Sequence, residues 1–288
     1  GTSLFADAFF VAFRLPNTFR RLFAEGAFNA AFIPSYAGEL TQNKEKADHF
    51  ARNVFNLLFI ILLFLVLIAE IFMPKLIYLI APGFYKDPKK LELAIDLSRI
   101  TFPFLFFVSL ASFFAAILNS YNKFAAAAAA PIILNVILIG SLLLSQNLNI
   151  SDVITLSYAV SFAGFLQLLI LLFFVRKNFK PILTLKIKID KKTKFFFRKL
   201  LPSIFSSGVT QINILVGTII ASFQTGAVSY LYYADRVYQI NLAVAGIAVG
   251  TVMLPELAKH VKNNSSEQIT DLQNRALELC LFLSIPAA

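Results

Sequence analysis

Apolar runs of about twenty residues recur along this chain, each long enough to cross a bilayer core as a helix. They are parted by short polar segments. The pattern predicts spans over an opening stretch Ala6–Ala37, then Val54–Ile80, Leu91–Leu118, Ala125–Ser145, Val153–Val175, Leu200–Phe223 and Val228–Ala258. An eighth run starts at Glu267 and is still apolar at Ala288. Gly38–Arg52 reads as a polar loop, and APGF (Ala81–Phe84) with KDPKK (Lys86–Lys90) as a turn. NSYNKF (Asn119–Phe124), QNLNISD (Gln146–Asp152) and QTGA (Gln224–Ala227) read as tight turns, and Lys259–Ser266 as a polar loop. The fold class is therefore an all-α polytopic membrane protein, with about seven complete spans and a cut eighth. A pattern that starts and stops inside helical runs reads as a fragment of a larger bundle.

The opening stretch carries more charge than a bilayer helix tolerates unaided: Asp7, Arg14, Arg20, Arg21 and Glu25. An arginine at the centre of a membrane helix is unfavourable by about 2.5–3.5 kcal/mol on insertion scales. These residues therefore need water, partners or a ligand. Positions 7, 14 and 21 share one helical stripe, and Glu25 lies one turn beyond Arg21, where it can pair with it. Snorkelling at the helix end serves Arg21 as well as a buried role does. Arg20 points to another side, shared with Asn17, and a polar cavity suits it best. Pro16 is expected to kink or interrupt the helix. Small residues after it, Ala24 to Ala31, leave room for close helix contact.

Composition fits the pattern. The chain is 58% hydrophobic and only 15% charged, where a soluble domain has about 25% charged residues. One cysteine, Cys280, excludes an internal disulfide, and His49 and His260 form no ligand set. No nucleophile–base pair, phosphate loop or glycine fingerprint is present, so no enzyme and no cofactor is expected. Arg176–Lys199 breaks the apolar pattern with ten Lys and Arg. Within it Leu183, Leu185, Ile187 and Ile189 alternate with Thr184, Lys186 and Lys188, which reads as strand-like or as an extended interfacial segment. A basic linker lying on anionic membrane lipids explains it better than nucleic acid, since no folded soluble module surrounds it. Alternate loops place 16 Lys and Arg on one side of the membrane and 3 on the other. The positive-inside rule makes the first side cytoplasmic, so the opening helix runs from outside to inside.

Sliding the chain by 221 positions sets the opening helix on the seventh span. Arg14 and Leu15 meet Asp235 and Arg236, and Ile33–Pro34 meets Leu254–Pro255. A parallel repeat predicts two similar bundles: 1–175 as a first lobe lacking its first helix, 176–199 as the basic cytoplasmic linker, and 200–288 as the beginning of a second lobe. Arg20 and Arg236 would then face a shared cationic cavity. The guanidinium fork suits phosphate, because it stays ionised and bonds two oxygens at once. Asp235 serves either in that site or in an ion pair with its neighbour.

The stretch DAFFVAFRLPNTFRRLFAEGAF (Asp7–Phe28) resembles the second transmembrane helix of the MurJ (MviN) family, the lipid II flippases of bacterial cell-wall synthesis. The resemblance extends to APGF, to ITFPFLFFVSLASFFAAILNSYNKF (Ile100–Phe124), to Pro131 with Asn135 and to YYADR (Tyr232–Arg236). It implies the MOP-type two-lobe transporter fold related to MATE exporters, with about fourteen helices. It implies alternating access that carries lipid II, an undecaprenyl-diphosphate-linked disaccharide peptide, across the bacterial inner membrane. The functional positions it implies are Asp7, Asn17, Arg20 and Arg236. Two departures stand out: the family's first helix is absent, and Ala127 occupies a position where the family commonly has proline. Two other readings stay open. One is an ion-coupled MATE-like or polysaccharide-lipid exporter, which wants membrane carboxylates. The other is a non-transporting scaffold that recruits cell-wall synthesis proteins.

Overall fold

The computed structural model describes residues 4–23, 27–148, 151–183, 190–243, 249, 253, 257 and 266–285. Ten α-helices and one short 3-10 turn make up the regular structure of those residues. They are α1 (Leu4–Phe23), α2 (Ala27–Leu40), α3 (Lys44–Ile80), the 3-10 turn Pro82–Lys86, α4 (Pro88–Thr101), α5 (Pro103–Ser120), α6 (Phe124–Leu148), α7 (Asp152–Val175), α8 (Lys191–Ala221), α9 (Ala227–Asn241) and α10 (Ser266–Ser284). Among the described residues, four helical runs are long and apolar enough to cross a membrane: Lys44–Ile80, Pro88–Ser120, Phe124–Gln146 and Asp152–Val175. The chain divides into two compact units, Gly1–Ser229 and Tyr230–Ala288.

Local chemistry sets the helix ends, and in four places it departs from the sequence pattern. The expected loop Gly38–Arg52 is mostly helix. Asn43 accepts hydrogen bonds from the Glu45 and Lys46 N–H groups and starts α3 at Lys44. Ala47, Phe50, Ala51 and Val54 follow at helical spacing and are buried, which holds this charged first turn in place. Likewise Lys191–Lys199, the end of the basic segment, is already helical as the first part of α8, because Asp190 caps it through the Thr193 N–H at 2.7 Å. Burial alone would raise the Asp190 carboxyl, but the Thr193 hydrogen bonds, with His49 and Lys192 nearby, outweigh it and hold the group below the ordinary carboxylate range. The strand-like alternation at 184–189 lies outside the described residues.

The third departure is at Pro16. It does not end α1, which runs on to Phe23. Proline has no N–H to give the carbonyl four residues back, here Ala12. The Thr101 hydroxyl of α4 donates to that oxygen at 2.9 Å, so the helix continues without an orphaned acceptor. Residues 24–26, and with them the expected Glu25–Arg21 pair, lie outside the described residues. The fourth departure is at Pro103, which opens α5 after Phe102 inside the stretch Leu91–Leu118 expected as one span. The remaining breaks follow the sequence: Asp87 caps α4 with Pro88 behind it, and Asn122 and Gly226 turn the chain with φ of 58° and 80°.

In the first unit α2, α3, α5 and α8 share an aromatic core. Phe32 sits 5.5 Å from Tyr36, 5.9 Å from Phe50, 5.1 Å from Phe113 and 6.1 Å from Phe196, ring centre to ring centre. An exposed ion pair, Lys192 to Glu39 at 2.6 Å, ties the start of α8 to the end of α2. The outward faces of α3 and α6 expose Phe64, Ile71, Ile132, Val136, Ile139 and Leu143, as lipid-facing helices do. The second unit holds the remainder of α9 and α10, with an exposed Arg275–Asp271 pair along α10.

Candidate functional site

The first half of α1 is apolar but for one charge, and it is buried from Asp7 onward. Its key is Asp7, fully buried. Four donors meet its two oxygens. Oδ2 accepts from Lys90 Nζ at 2.6 Å and from the Gly226 N–H at 2.8 Å. Oδ1 accepts from the Ser229 N–H at 3.0 Å and the Ser229 hydroxyl at 2.6 Å. Gly226 and Ser229 flank the first turn of α9, where unpaired N–H groups and the helix dipole favour an anion. Asp7 thus caps a helix 220 or so residues away. Lys90 is buried as well, and its ammonium lies 4.1 Å from the centre of the Phe84 ring. Neither charge faces apolar surroundings unpaired, which a membrane interior would penalise heavily.

Further contacts run beside this seat. Arg14 Nη1 donates to Thr218 Oγ1 of α8 at 2.6 Å. The 3-10 turn presses on the end of α8: the Gly83 N–H donates to Ser222 Oγ at 2.9 Å, and a Cβ at Gly83 would lie 2.2 Å from the Ser222 carbonyl oxygen. Only glycine lets the two backbones approach so closely. Together α1, the 3-10 turn, α4 and the α8–α9 turn form one hydrogen-bonded end of the first unit.

Arg20 occupies a different place. It lies 13 positions beyond Asp7, about 20 Å along the helix axis, so the two do not pair. Arg20 is half-buried, and its Nε donates to Asn17 Oδ1 at 3.2 Å, while Asn17 Nδ2 donates back to the Phe13 carbonyl. The shared side expected of Arg20 and Asn17 is therefore present. Arg20 also lines a cavity of about 450 Å³ whose wall is mostly apolar, with Asn29, Ser112, Asn119 and Gln167 as its other polar members. Arg236 lies in the second unit, exposed, with Nη2 bonded to the Tyr232 hydroxyl at 2.8 Å and its guanidinium over that ring at 5.0 Å. Asp235 beside it is half-buried.

Sequence reasoning missed Lys90, Gly226, Ser229 and Thr218. KDPKK reads as solvated charge and QTGA as a plain turn. The usable signal was Asp7 itself, since a carboxylate in an apolar helix must have a cation or several N–H donors.

A family model described as lipid II flippase MurJ matches residues 1–288, the whole chain. A probable lipid II flippase MurJ of Rhizobium meliloti is 45% identical over 294 aligned residues, and one of Rhizobium tropici 42% identical over 293. Each alignment takes in 100% of this chain and 55% of the relative, so the chain spans about half the length of these curated relatives. A solved lipid II flippase MurJ in an inward closed conformation superposes with a TM-score of 0.82 at 30% identity, covering 100% of this chain and 58% of that one. An inward-facing multidrug resistance MATE family transporter of the MOP superfamily gives a TM-score of 0.72 at 14% identity over 99% of this chain and 69% of that one, a likeness of fold alone.

Proposed function

From the premise that this chain belongs to the lipid II flippase MurJ family, we propose that the protein built on it moves lipid II across the bacterial inner membrane by alternating access. The observation that carries this reading is the family match over all 288 residues. The geometry supplies parts that such a cycle needs. The Asp7 seat is a discrete contact that is either made or broken, and a buried ionic contact between remote helices is a natural two-state element. On the charge-count orientation it closes the outer side. Residues 200–288 begin the second lobe in this reading, so the seat holds the two lobes together at that side, and the basic segment 176–199 links them along the cytoplasmic surface.

Arg20 and Arg236 contribute the cationic groups that hold the substrate diphosphate, one from each lobe. Asn17 fixes the Arg20 side chain, and Asp235 offsets the Arg236 charge while no substrate is bound. A diphosphate that bridges both arginines satisfies them only when the lobes close on it, which couples substrate to conformation. Binding to partners of cell-wall synthesis through the basic segment is compatible with this scheme and separate from it. The test is translocation of lipid II by the full-length protein in vesicles, together with rescue of a flippase-depleted cell. Full-length protein that moves no lipid II in either assay overturns the reading.

A further inference from the structure

Away from the Arg20 cavity, α3 holds a carboxylate within its apolar run. Glu70 borders the buried stripe Val66, Ala69, Met73 and Ile77 and is itself half-buried. Its Oε1 atom is enclosed and accepts no hydrogen bond. Among the described residues, Arg99 of α4 is the charged group whose field reaches it. The two nevertheless make no ion pair among the described residues. The other ionisable groups of the packed elements are placed elsewhere. α5 carries none. Tyr36 and Glu39 lie near the far end of α2, and α8 has its charges in Lys191–Lys199. On α3, Lys75 sits over the Phe72 ring at 5.3 Å, Tyr78 meets Tyr85 of the 3-10 turn, and the rest fall in Lys44–Arg52. Lys86 follows the outer end of α3, and Lys90 of α4 is taken by Asp7.

A carboxylate and a guanidinium sharing an apolar surrounding attract strongly when both are charged. Lys90 and Asp7 close to 2.6 Å on the same α4. An open Glu70–Arg99 pair, with one carboxyl oxygen sealed from every donor, is the arrangement of a neutral carboxyl. Arginine keeps its charge throughout, so the proton belongs to the glutamate. Water can reach it along α4, where Lys89, Glu92, Asp96 and Arg99 form an exposed charged stripe at helical spacing. We propose that Glu70 is a proton-binding site whose ionisation draws Arg99, and α4 with it, onto α3. On uptake the carboxylate oxygen bonds one proton from water and its charge is neutralised. On release the proton returns to water and the carboxylate pairs with the guanidinium. α4 also holds Asp7 through Lys90 and the Ala12 carbonyl through Thr101. Proton occupancy of Glu70 therefore acts on the Asp7 seat, and it does so whatever the transported molecule is.

The experiment titrates the full-length protein by infrared spectroscopy between about pH 4 and pH 9, a range that covers exposed and buried glutamates. A protonated-carboxyl band that fades as pH rises is expected in wild type and in Arg99→Gln, and is expected to be missing in Glu70→Gln. A double-mutant cycle of these two substitutions, read by unfolding at both ends of the range, follows the pair itself. Coupling is expected to be absent in acid and to reach about tenfold in the unfolding equilibrium in alkali. Glu70→Gln keeps the size and shape of the side chain, and Arg99→Lys, which keeps the charge, should retain the alkaline coupling. A titrating band unchanged by Glu70→Gln overturns the proton site, as does the absence of any such band in wild type. Coupling of equal size at both ends of the range overturns the switch.

Discussion

Asp7 and Ser229 lie 222 residues apart in the chain and meet through two hydrogen bonds to one carboxylate oxygen, from the Ser229 N–H at 3.0 Å and its hydroxyl at 2.6 Å. The other oxygen holds Lys90 and the Gly226 N–H. One carboxylate therefore ties α1, α4 and the start of α9 together, and each tie can be removed separately.

Asp7→Ala leaves Lys90 buried and uncompensated, a loss of about 3–5 kcal/mol. Ser229→Ala removes one hydrogen bond of four and costs about 1 kcal/mol. The pair Asp7→Leu with Lys90→Met removes both charges and recovers much of the stability, while transport stays low because the α9 cap is still missing. Thermal unfolding of the purified full-length variants checks this as a double-mutant cycle. Coupling between Asp7 and Lys90 below about 0.5 kcal/mol would contradict it.

Gly83→Ala sets a methyl group against the Ser222 backbone, where it has no room. The 3-10 turn and the end of α8 must separate, at a cost of about 1–3 kcal/mol. A lower unfolding temperature and faster hydrogen exchange at Gly83 and its neighbours are the expected readings. Unchanged exchange there contradicts the close approach.

Asp190→Ala removes the α8 cap and costs about 0.5–2 kcal/mol. The carboxyl is depressed in the folded state, so its stabilisation is complete above its unfolded value near 3.8. It disappears as pH falls through the lower folded value. Wild type and Asp190→Ala should therefore differ in stability at pH 7 and converge in strong acid.

Much of the helical framework was legible because apolar runs, prolines and turn residues report local structure. Pro88 and Asn122 stand where they start a helix or turn the chain, whereas Pro103 opens α5 inside a run that reads as one span. The start of α3 was not legible from charge alone. Lys44, Glu45 and Lys46 look like loop, and only the buried stripe Ala47, Phe50, Ala51, Val54 shows a helix. Pro16 misleads for a different reason: the donor that repairs its break, Thr101, comes from another helix. The same holds for the site. Asp7, Asn17 and Arg20 announce themselves as polar groups in an apolar helix. The partners of Asp7, namely Lys90, Ser229 and Gly226, do not, because nothing local distinguishes a buried lysine or a capping turn from an exposed one.

The sidedness follows from the uneven loop charges. In a Cys280→Ser background, single cysteines at Asn147 and Lys188 are expected to label from opposite faces, Asn147 from outside and Lys188 from inside. Labelling of both by an impermeant reagent from outside contradicts the orientation.

The most direct test of the account is lipid II translocation by full-length protein carrying Arg20→Ala, Arg236→Ala or the matching lysine variants, reconstituted at equal amounts. Each alanine variant is expected to lose transport while still folding and inserting. Each lysine variant should recover little, because an ammonium lacks the two-pronged bond to phosphate. Wild-type translocation by both alanine variants would contradict the assignment of the diphosphate to Arg20 and Arg236.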